Sequence, residues 1–432
     1  MKRLALTTNQ RSQIGYIAFA AFSYIPMLLA GGTFLVDLLQ LCGFKDGAIG
    51  VIFSLGTFLA IANLLVFFIG PKVRSPKKMT ILCYAVALLI LVLIYIFALL
   101  PIEQALKQVL IVVCIVSSLL LRIIVNPIFS QWKFTFVPMQ ERGRFTATNC
   151  LVSLICACVL SPLFGAMRDH FLSIGKMDLN FAILAAIMLV MNIISILFMF
   201  LMKDAPNASS AQSQINLKDI LRHTLRHKNF CCLLLIYTLW NVSTVISTSF
   251  WDVYKMGDLG FSVTILQIVS VISNILLILS LRPIGRLADK FSFLWCMRIG
   301  LICAAVVFGL GIFTTPATAW ISVVYTILYC FPSFAIGSNF DNLLLDYTDS
   351  EYFSYALALC NAIGGMIAFG ASVLSGALLD HIQANGNMLF GIPVYAQQVQ
   401  SVLSLVGILV LYYLATSVLT KLPKAQQEKQ TP

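Results

Sequence analysis

The sequence predicts an all-α membrane protein whose twelve transmembrane helices form two parallel-repeat bundles of six. Three observations lead to this fold class. Of 432 residues, 60% are hydrophobic and only 10% are charged, whereas soluble globular chains carry about 25% charged residues. The apolar residues fall into long runs that suit a bilayer. The second half of the chain also repeats landmarks of the first half in the same order.

Twelve apolar segments are long enough to cross a bilayer. Helices in bilayers tolerate the Pro and Gly residues that several of these segments contain. An even number of crossings places both termini on the same side of the membrane. The segments cover residues 14–41, 47–70, 79–100, 107–131, 146–168, 181–202, 230–255, 262–282, 294–314, 317–339, 353–378 and 398–420.

A long polar interval divides the chain into two halves. Its first part, rich in Ser, Ala and Gln, is typical of a flexible linker. Its second part alternates basic and apolar residues as in an amphipathic helix on a membrane surface, and a solvated tether is the alternative. We therefore expect an N-terminal bundle at 1–202, a cytoplasmic linker at 203–229, a C-terminal bundle at 230–420 and a cytoplasmic tail at 421–432.

The net charge of +11 is explained by topology. Most of the 28 Lys and Arg residues lie in the two termini, the linker and every second loop. Cytoplasmic loops of membrane proteins carry this excess. The pattern predicts a multi-pass protein of the cell membrane with both termini in the cytoplasm, and it requires no nucleic-acid partner.

An internal repeat is visible at the ends of the first and seventh segments. The first contains a Thr and an Asp within Thr33–Asp37, and Gly43 follows. The seventh contains the same residue types within Thr248–Asp252, and Gly260 follows. Matched landmarks with the same orientation indicate a parallel repeat of two six-helix units.

Three loop motifs give the chain a wider resemblance. Gly285–Lys290 has the spacing glycine, three residues, aspartate and a basic residue. Gly70–Lys78 keeps the glycine and the basic cluster but lacks the aspartate. Val137–Phe145 contains a Pro-x-x-x-Arg-Gly pattern. With these motifs the chain resembles the major facilitator superfamily, bacterial type, over essentially its whole length.

That resemblance implies secondary transport by alternating access, with a small-molecule substrate held between the two halves. It also implies that the motif loops form a cytoplasmic gate. The gate residues in this sequence are then Asp289, Arg286, Arg142 and Arg144. The alternative for these side chains is ordinary anchoring at the cytoplasmic surface. The missing aspartate after Gly70 leaves open whether the loop between the second and third segments acts as a gate.

Polar side chains form phased stripes on helices that line the central cavity in the resembled fold. Residues three or four positions apart share one face of a helix, and polar residues within a membrane are costly unless they have a role. Packing between helices through small polar residues is the alternative for each of them. The candidate substrate-binding residues are Ser118, Arg122 and Asn126 in the fourth segment, Asn241, Thr244 and Thr248 in the seventh, and Tyr325 and Tyr329 in the tenth.

Arg122 lies roughly 13 Å from the cytoplasmic end of its segment at 1.5 Å per residue. At that depth we expect it to face a water-filled cavity, where it could bind a carboxylate or phosphate of a substrate. Asp37 and Asp252 lie near the outer ends of their segments, so a direct pair with Arg122 is not expected. Both carboxylates are candidates for proton or cation coupling or for an outer gate.

The predicted function is therefore secondary active transport of a small polar organic solute. An anionic solute and proton coupling are the narrower alternatives. A multidrug or lipid exporter of the same fold is a second alternative. A membrane sensor or partner-binding protein without transport activity is a third. No enzyme motif is recognised, and no metal or cofactor site is expected, since His223 and His227 have no further ligands near them in the sequence.

Overall fold

The computed structural model describes residues 7–65, 73, 75–137, 142–204, 228–347 and 353–419. Within these ranges the chain is almost entirely helical. A two-stranded antiparallel hairpin near the C-terminus is the exception. This hairpin, which lies between the last two predicted segments, was not predicted from the sequence. Each of its strands is only two residues long.

The first half of the described chain contains seven α-helices and a 3₁₀ turn. The 3₁₀ turn covers Ala60–Leu65 and continues α3. The helices are α1 (Thr8–Leu29), α2 (Gly32–Leu41), α3 (Asp46–Leu59), α4 (Pro76–Leu99), α5 (Gln104–Phe134), α6 (Arg142–Ser173) and α7 (Met177–Phe200).

The second half also contains seven α-helices, together with a short 3₁₀ turn at Pro316–Thr318 and the hairpin. The helices are α8 (Lys228–Thr248), α9 (Trp251–Gly257), α10 (Val263–Lys290), α11 (Phe293–Ile312), α12 (Trp320–Tyr347), α13 (Phe353–Ala384) and α14 (Ala396–Ser417). The strands β1 (Met388–Leu389) and β2 (Ile392–Pro393) lie between α13 and α14.

Twelve helical stretches of the described chain are long and apolar enough to cross a membrane, as predicted. Two of them consist of two helices each. The stretch Thr8–Leu41 joins α1 and α2, and the stretch Lys228–Gly257 joins α8 and α9. Each break comes just before the helix that contains a repeated Asp, which is Asp37 in α2 and Asp252 in α9.

The internal repeat is visible in the backbone. Gly43 follows α2 with φ of 75°, and Gly260 follows α9 with φ of 68°. L-residues with a side chain rarely adopt this left-handed conformation. Both glycines therefore allow the chain to turn sharply from one membrane helix into the next. The repeated glycine of the sequence pattern has this physical reason.

The chain divides into two compact units whose boundaries differ from the two sequence halves. Unit 1 comprises Met1–Phe44, Ala62–Gln212 and Ser262–Ile268. Unit 2 comprises Lys45–Ile61, Ser213–Phe261 and Val269–Pro432. Most of α3 therefore belongs to unit 2, and the first turns of α10 belong to unit 1.

Each unit has an aromatic-rich core. In unit 1, Phe19, Tyr84, Phe129 and Trp132 of α1, α4 and α5 are buried together. In unit 2, the core contains Trp251, Phe308 and Tyr325 among many aliphatic side chains of α8 and α11 to α14. These cores hold the helices that carry the candidate site residues.

Some predicted features lie outside what the structure describes. The amphipathic segment of the linker is one of them, and most of the Gly70–Lys78 loop is another. The side chains of the four predicted gate residues are also outside the described part. These residues are Asp289, Arg286, Arg142 and Arg144.

Candidate functional site

The polar stripe of α5 contains three side chains with different surroundings. Ser118 is fully buried, and its Oγ donates a hydrogen bond to the Ala87 carbonyl oxygen of α4 at 2.9 Å. Its hydroxyl therefore joins two helices. Arg122 is half-buried, and Asn126 is exposed.

Arg122 has no carboxylate within ion-pair distance among the described residues. Its charge interacts with the phenol of Tyr84 on α4. Tyr84 in turn packs edge-on against Phe19, with ring centroids 5.3 Å apart. The guanidinium therefore lies next to the aromatic core of unit 1 and keeps its donors available for a ligand or water.

The polar stripe of α8 is largely satisfied within its own helix. Asn241 Nδ2 donates to the Tyr237 carbonyl oxygen at 2.8 Å, and Thr244 Oγ1 donates to the Trp240 carbonyl oxygen at 2.9 Å. Thr248 Oγ1 donates to the Thr244 carbonyl oxygen at 2.9 Å. Such bonds use the hydroxyl proton but leave oxygen lone pairs available.

The two candidate tyrosines of α12 form a stack. The rings of Tyr325 and Tyr329 are nearly parallel, with centroids 6.0 Å apart. Tyr325 also stacks on Trp251 at 4.0 Å and is buried in the core of unit 2. Tyr329 is only half-buried. Of the two tyrosines, Tyr329 is therefore the one whose ring a ligand could contact.

A cavity of about 290 Å³ lies within unit 2, and Asn241 lines it. Tyr237 and Phe340 form one aromatic wall, with centroids 4.6 Å apart and planes tilted by 42°. The Tyr237 hydroxyl hydrogen-bonds to Asn361 Oδ1. Trp240 lines the same cavity. The wall thus combines two amides with three aromatic rings.

Three of these cavity residues were missed at the sequence level. Asn361 lies on α13, which was not expected to line a central cavity. Tyr237 and Phe340 were not among the predicted site residues. The signal that was available is the spacing of Tyr237 and Asn241, which places them on one face of α8.

Asp37 forms a buried ion pair with Arg168 of α6. Arg168 Nε donates to Asp37 Oδ2 at 2.9 Å, and Nη2 donates to Oδ1, so the pair is bidentate. Asp37 is only 4% exposed and Arg168 only 8% exposed. The sequence placed Arg168 at the outer end of the fifth segment, but this residue was not predicted as a partner of Asp37.

The pair extends to the start of α10 through a second carboxylate. Arg168 Nη1 donates to Asp169 Oδ1 at 3.0 Å. Asp169 Oδ2 accepts hydrogen bonds from the backbone N–H and the Oγ1 of Thr264, the former at 3.0 Å. The first N–H groups of a helix have no partner within the helix, and a carboxylate there is stabilising. Asp169 therefore caps α10.

Asp380 of α13 makes a corresponding contact in unit 2. Its Oδ1 accepts a hydrogen bond from the Gly47 backbone N–H at 3.0 Å, in the first turn of α3. Gln383 Nε2 donates to Asp46 Oδ2 of the same turn at 2.9 Å. Helices α6 and α13 are equivalent in the repeat, as are α10 and α3. The two carboxylate caps therefore follow the symmetry of the fold.

Asp252 has a different environment from Asp37. It pairs with Lys255 one turn along the same helix at 2.7 Å, and its side chain is 32% exposed. Lys255 is buried, and its Nζ also donates to Thr326 Oγ1 at 3.4 Å. The repeat thus preserves the position of the Asp while the cation comes from the same helix in one unit and from another helix in the other.

Comparison with known proteins places the chain in a family. The family model described as MFS/sugar transport protein matches residues 81–412. The chain belongs to this family. A search of curated protein sequences gives no significant match.

Solved structures of the major facilitator superfamily share the fold of this family member. A mutant of the nucleoside transporter NupG matches with a TM-score of 0.70 at 14% identity, covering 94% of this chain and 99% of that chain. A bacterial homolog of the human lysosomal transporter Spinster matches with a TM-score of 0.69 at 12% identity, covering 96% and 98%. A D-xylose-proton symporter matches with a TM-score of 0.66 at 14% identity, covering 92% and 96%.

The resemblance to the major facilitator superfamily is therefore confirmed, and so is the fold class of twelve helices in two repeats. The protein is a multi-pass membrane protein of a solute-transporter family.

Proposed function

We propose that this protein is a secondary active transporter that moves a small, uncharged, ring-bearing polar solute across the cell membrane by alternating access. The observation that carries the proposal is the cavity of unit 2 with its amide and aromatic walls. At about 290 Å³ it lies near the lower end of small-molecule pockets, which start at roughly 300 Å³.

The chemistry of the cavity wall supports an uncharged solute. None of its lining residues is Asp, Glu, Lys or Arg. A charged ligand would lose its hydration there without an opposite charge in return. Asn241 and Asn361 supply both donors and acceptors, which match hydroxyl groups or ring nitrogens. The faces of Tyr237, Trp240 and Phe340 suit a flat or weakly puckered ring.

Arg122 supports a second candidate, a solute with a carboxylate or phosphate. A guanidinium without a carboxylate partner can bind such a group through two parallel hydrogen bonds. In this case Ser118 and Asn126 of the same helix stripe, rather than the cavity of unit 2, would accompany the charged group. In either candidate function, secondary roles in binding fall to Thr244, Thr248, Tyr325 and Tyr329.

Asp37 is the proposed coupling residue, and Asp252 the proposed outer-gate residue. A buried carboxylate that exchanges an Arg partner for a proton or another cation changes the local charge during transport. Asp37 has such a partner in Arg168. Asp252 is half-exposed and paired within its own helix, which suits a role at a surface.

The proposed orientation has both termini and the linker in the cytoplasm, since Lys and Arg concentrate there in the sequence. The same placement puts Asp289, Arg286, Arg142 and Arg144 at a cytoplasmic gate. Export of drugs or lipids is the competing activity within the fold. The polar cavity wall favours the small polar solute, because exporters of apolar compounds need more apolar walls.

Thermal stabilisation of the purified protein tests the substrate proposal. The panel contains neutral sugars, nucleosides, organic anions, amino acids and cationic drugs, and each compound is tested against wild type, Asn361→Ala and Arg122→Ala. We expect a neutral ring compound to stabilise wild type and Arg122→Ala but not Asn361→Ala. Stabilisation by an anion that disappears only in Arg122→Ala would replace the proposal with the second candidate.

A companion variant separates binding from folding. Asn361→Ala leaves the Tyr237 hydroxyl without its acceptor, which by itself costs about 1–3 kcal/mol. The double variant Tyr237→Phe with Asn361→Ala removes both the hydroxyl and its acceptor, so this stability cost no longer applies. The cavity of the double variant still lacks the amide of Asn361. If the double variant regained its ligand response, Asn361 would have no direct role in binding.

A further inference from the structure

The hairpin between α13 and α14 has an exposed apolar tip. Phe390 is 95% exposed and Ile392 is 65% exposed, and Met388 precedes them with 44% exposure. Leu389 points the other way and packs on the small apolar cluster around Phe250 and Leu379. One side chain therefore anchors the hairpin, while three large apolar side chains extend away from the protein.

The turn of this hairpin holds a Phe in a strained backbone conformation. Phe390 and Gly391 are the two turn residues, and both have positive φ, at 51° and 79°. Such turns strongly prefer Asn or Asp before the Gly. A bulky residue in the left-handed region is a true outlier. Residues held in this way cluster at functional sites.

The hairpin lies at a membrane surface, because it directly connects two helices that cross the bilayer. Consecutive membrane helices alternate in direction, so the end of α11 and the start of α12 lie on the same side. Phe313 and Trp320 are found there, 67% and 65% exposed. Aromatic side chains at such positions form the belt that marks the membrane–water interface.

The chain segment that forms the hairpin carries no Asp, Glu, Lys or Arg of its own. Between Asp380 and Lys421 the sequence has no Asp, Glu, Lys or Arg. A charge-free segment enters the interfacial layer without the desolvation cost that ionised groups impose. Three side chains are also far too small a surface for a stable protein partner, which needs about 1,000 Å² or more.

We infer that this hairpin is a membrane anchor, whose tip inserts Phe390, Ile392 and Met388 into the headgroup and upper acyl region of the bilayer. The lipid-facing surface of α13, where Leu374 is 74% exposed, continues into this tip. The anchor fixes the outer end of α13 and α14 at a defined depth. The hairpin does not line the proposed substrate cavity. The test of the anchor is therefore independent of the test of the cavity.

Fluorescence quenching in lipid vesicles tests the anchor. Phe390→Trp and Ile392→Trp are reconstituted separately into phosphatidylcholine vesicles that are unlabelled, brominated near the headgroup end of the acyl chain, or brominated near its methyl end. The wild-type signal is subtracted. We expect the added emission to fall by roughly half with the shallow bromines, since interfacial segments lie about 5–10 Å deep, and to fall less with the deep bromines.

Leu374→Trp is the depth control. It lies ten residues, or about 15 Å along a helix, before the end of α13, so deep bromines should quench it more strongly than shallow ones. The inference is overturned if both hairpin variants respond to aqueous iodide and to neither lipid, because the tip then faces water. Using two separate hairpin variants keeps the test decisive if one of them does not fold.

Discussion

Asp37 and Arg168 form a bidentate ion pair that is almost completely removed from solvent, 131 residues apart in the sequence. The pair joins α2, the short second half of the first membrane stretch, to the end of α6. Removing one partner of such a pair leaves an uncompensated buried charge, which costs about 3–5 kcal/mol. The two charges therefore depend on each other, and neutralising Asp37 leaves the buried charge of Arg168 uncompensated.

Asp37→Asn should uncouple transport. The amide cannot bind a proton or balance Arg168, so we expect exchange of substrate across vesicles to continue while uphill accumulation is lost. Counterflow and gradient-driven uptake in the same proteoliposomes measure the two activities. Asp178→Asn is the matched control. Asp178 is an exposed carboxylate in the first turn of α7 and belongs to no proposed site, so both activities should persist. Uphill accumulation by Asp37→Asn would exclude Asp37 as the coupling site.

Asp169→Ala should loosen the first turns of α10. The substitution removes the acceptor of the Thr264 N–H, and loss of a helix cap costs about 0.5–2 kcal/mol. We therefore expect amide hydrogen exchange in residues 262–268 to accelerate by roughly tenfold, with little change elsewhere in unit 1. Asp178→Ala, an exposed carboxylate in the first turn of α7, provides the comparison. Equal protection of 262–268 in wild type and Asp169→Ala would show that the cap is not needed.

The symmetry of the fold extends this prediction to α3. Asp380→Ala removes the acceptor of the Gly47 N–H. Faster exchange should then be confined to the first turn of α3 and its neighbours in unit 2. If amide hydrogen exchange of the capped helix accelerated in only one of the two carboxylate variants, the caps would not be equivalent. The repeat would then be one of fold without a shared function.

The sequence allowed the helices to be predicted, because apolar runs of sufficient length have few alternatives in a membrane. Both repeated glycines were recognised from the sequence as landmarks of the repeat. The structure gives the physical reason for them, because each lies in a left-handed turn. The buried pair of Asp37 was missed. Its partner Arg168 is the last residue of the fifth predicted segment, and the structure extends that helix to Ser173. The contact joins residues 131 positions apart, which no local pattern encodes.

The cavity of unit 2 shows the same limit. The polar stripe of α8 includes Asn241, which lines the cavity, but periodicity cannot tell which polar side chains are satisfied within their own helix. Thr244 and Thr248 bond to carbonyls four residues earlier, and Ser118 bonds to a neighbouring helix. Asn361 depends on how α13 packs beside α8, which is a tertiary contact that no local pattern encodes.

Gly365→Ala and Gly370→Ala should change stability in opposite directions although both lie in α13. A Cβ at Gly365 would come within 2.1 Å of the Thr57 carbonyl oxygen, whereas nothing lies within 4 Å of a Cβ at Gly370. The first change forces α13 away from α3 and should cost about 1–3 kcal/mol. The second replaces a helical Gly and should gain about 0.5–1 kcal/mol. Thermal unfolding of the two variants in one detergent measures both, and equal melting temperatures would contradict the close packing of α3 on α13.

Asp258 should make the stability of unit 2 depend on pH. It follows α9, and burial raises the pKa of its carboxyl above the ordinary value, with the nearby charge of Asp46 raising that pKa further and a hydrogen bond from Asn387 lowering it. An acid with a raised pKa binds its proton more tightly in the folded state than in the unfolded state. Stability therefore falls as the pH rises from the ordinary aspartate pKa through the raised one.

Asp258→Asn removes that penalty, because the amide stays neutral at every pH. We expect its melting temperature to exceed that of wild type at neutral pH and to approach it as the pH falls to the ordinary aspartate range. Asp46→Asn removes only the neighbouring charge and should give a smaller gain. Melting curves of the three proteins across this pH range test the sign directly. A wild-type protein that gained stability with rising pH relative to Asp258→Asn would mean that Asp258 is held in its charged form by a cation in unit 2.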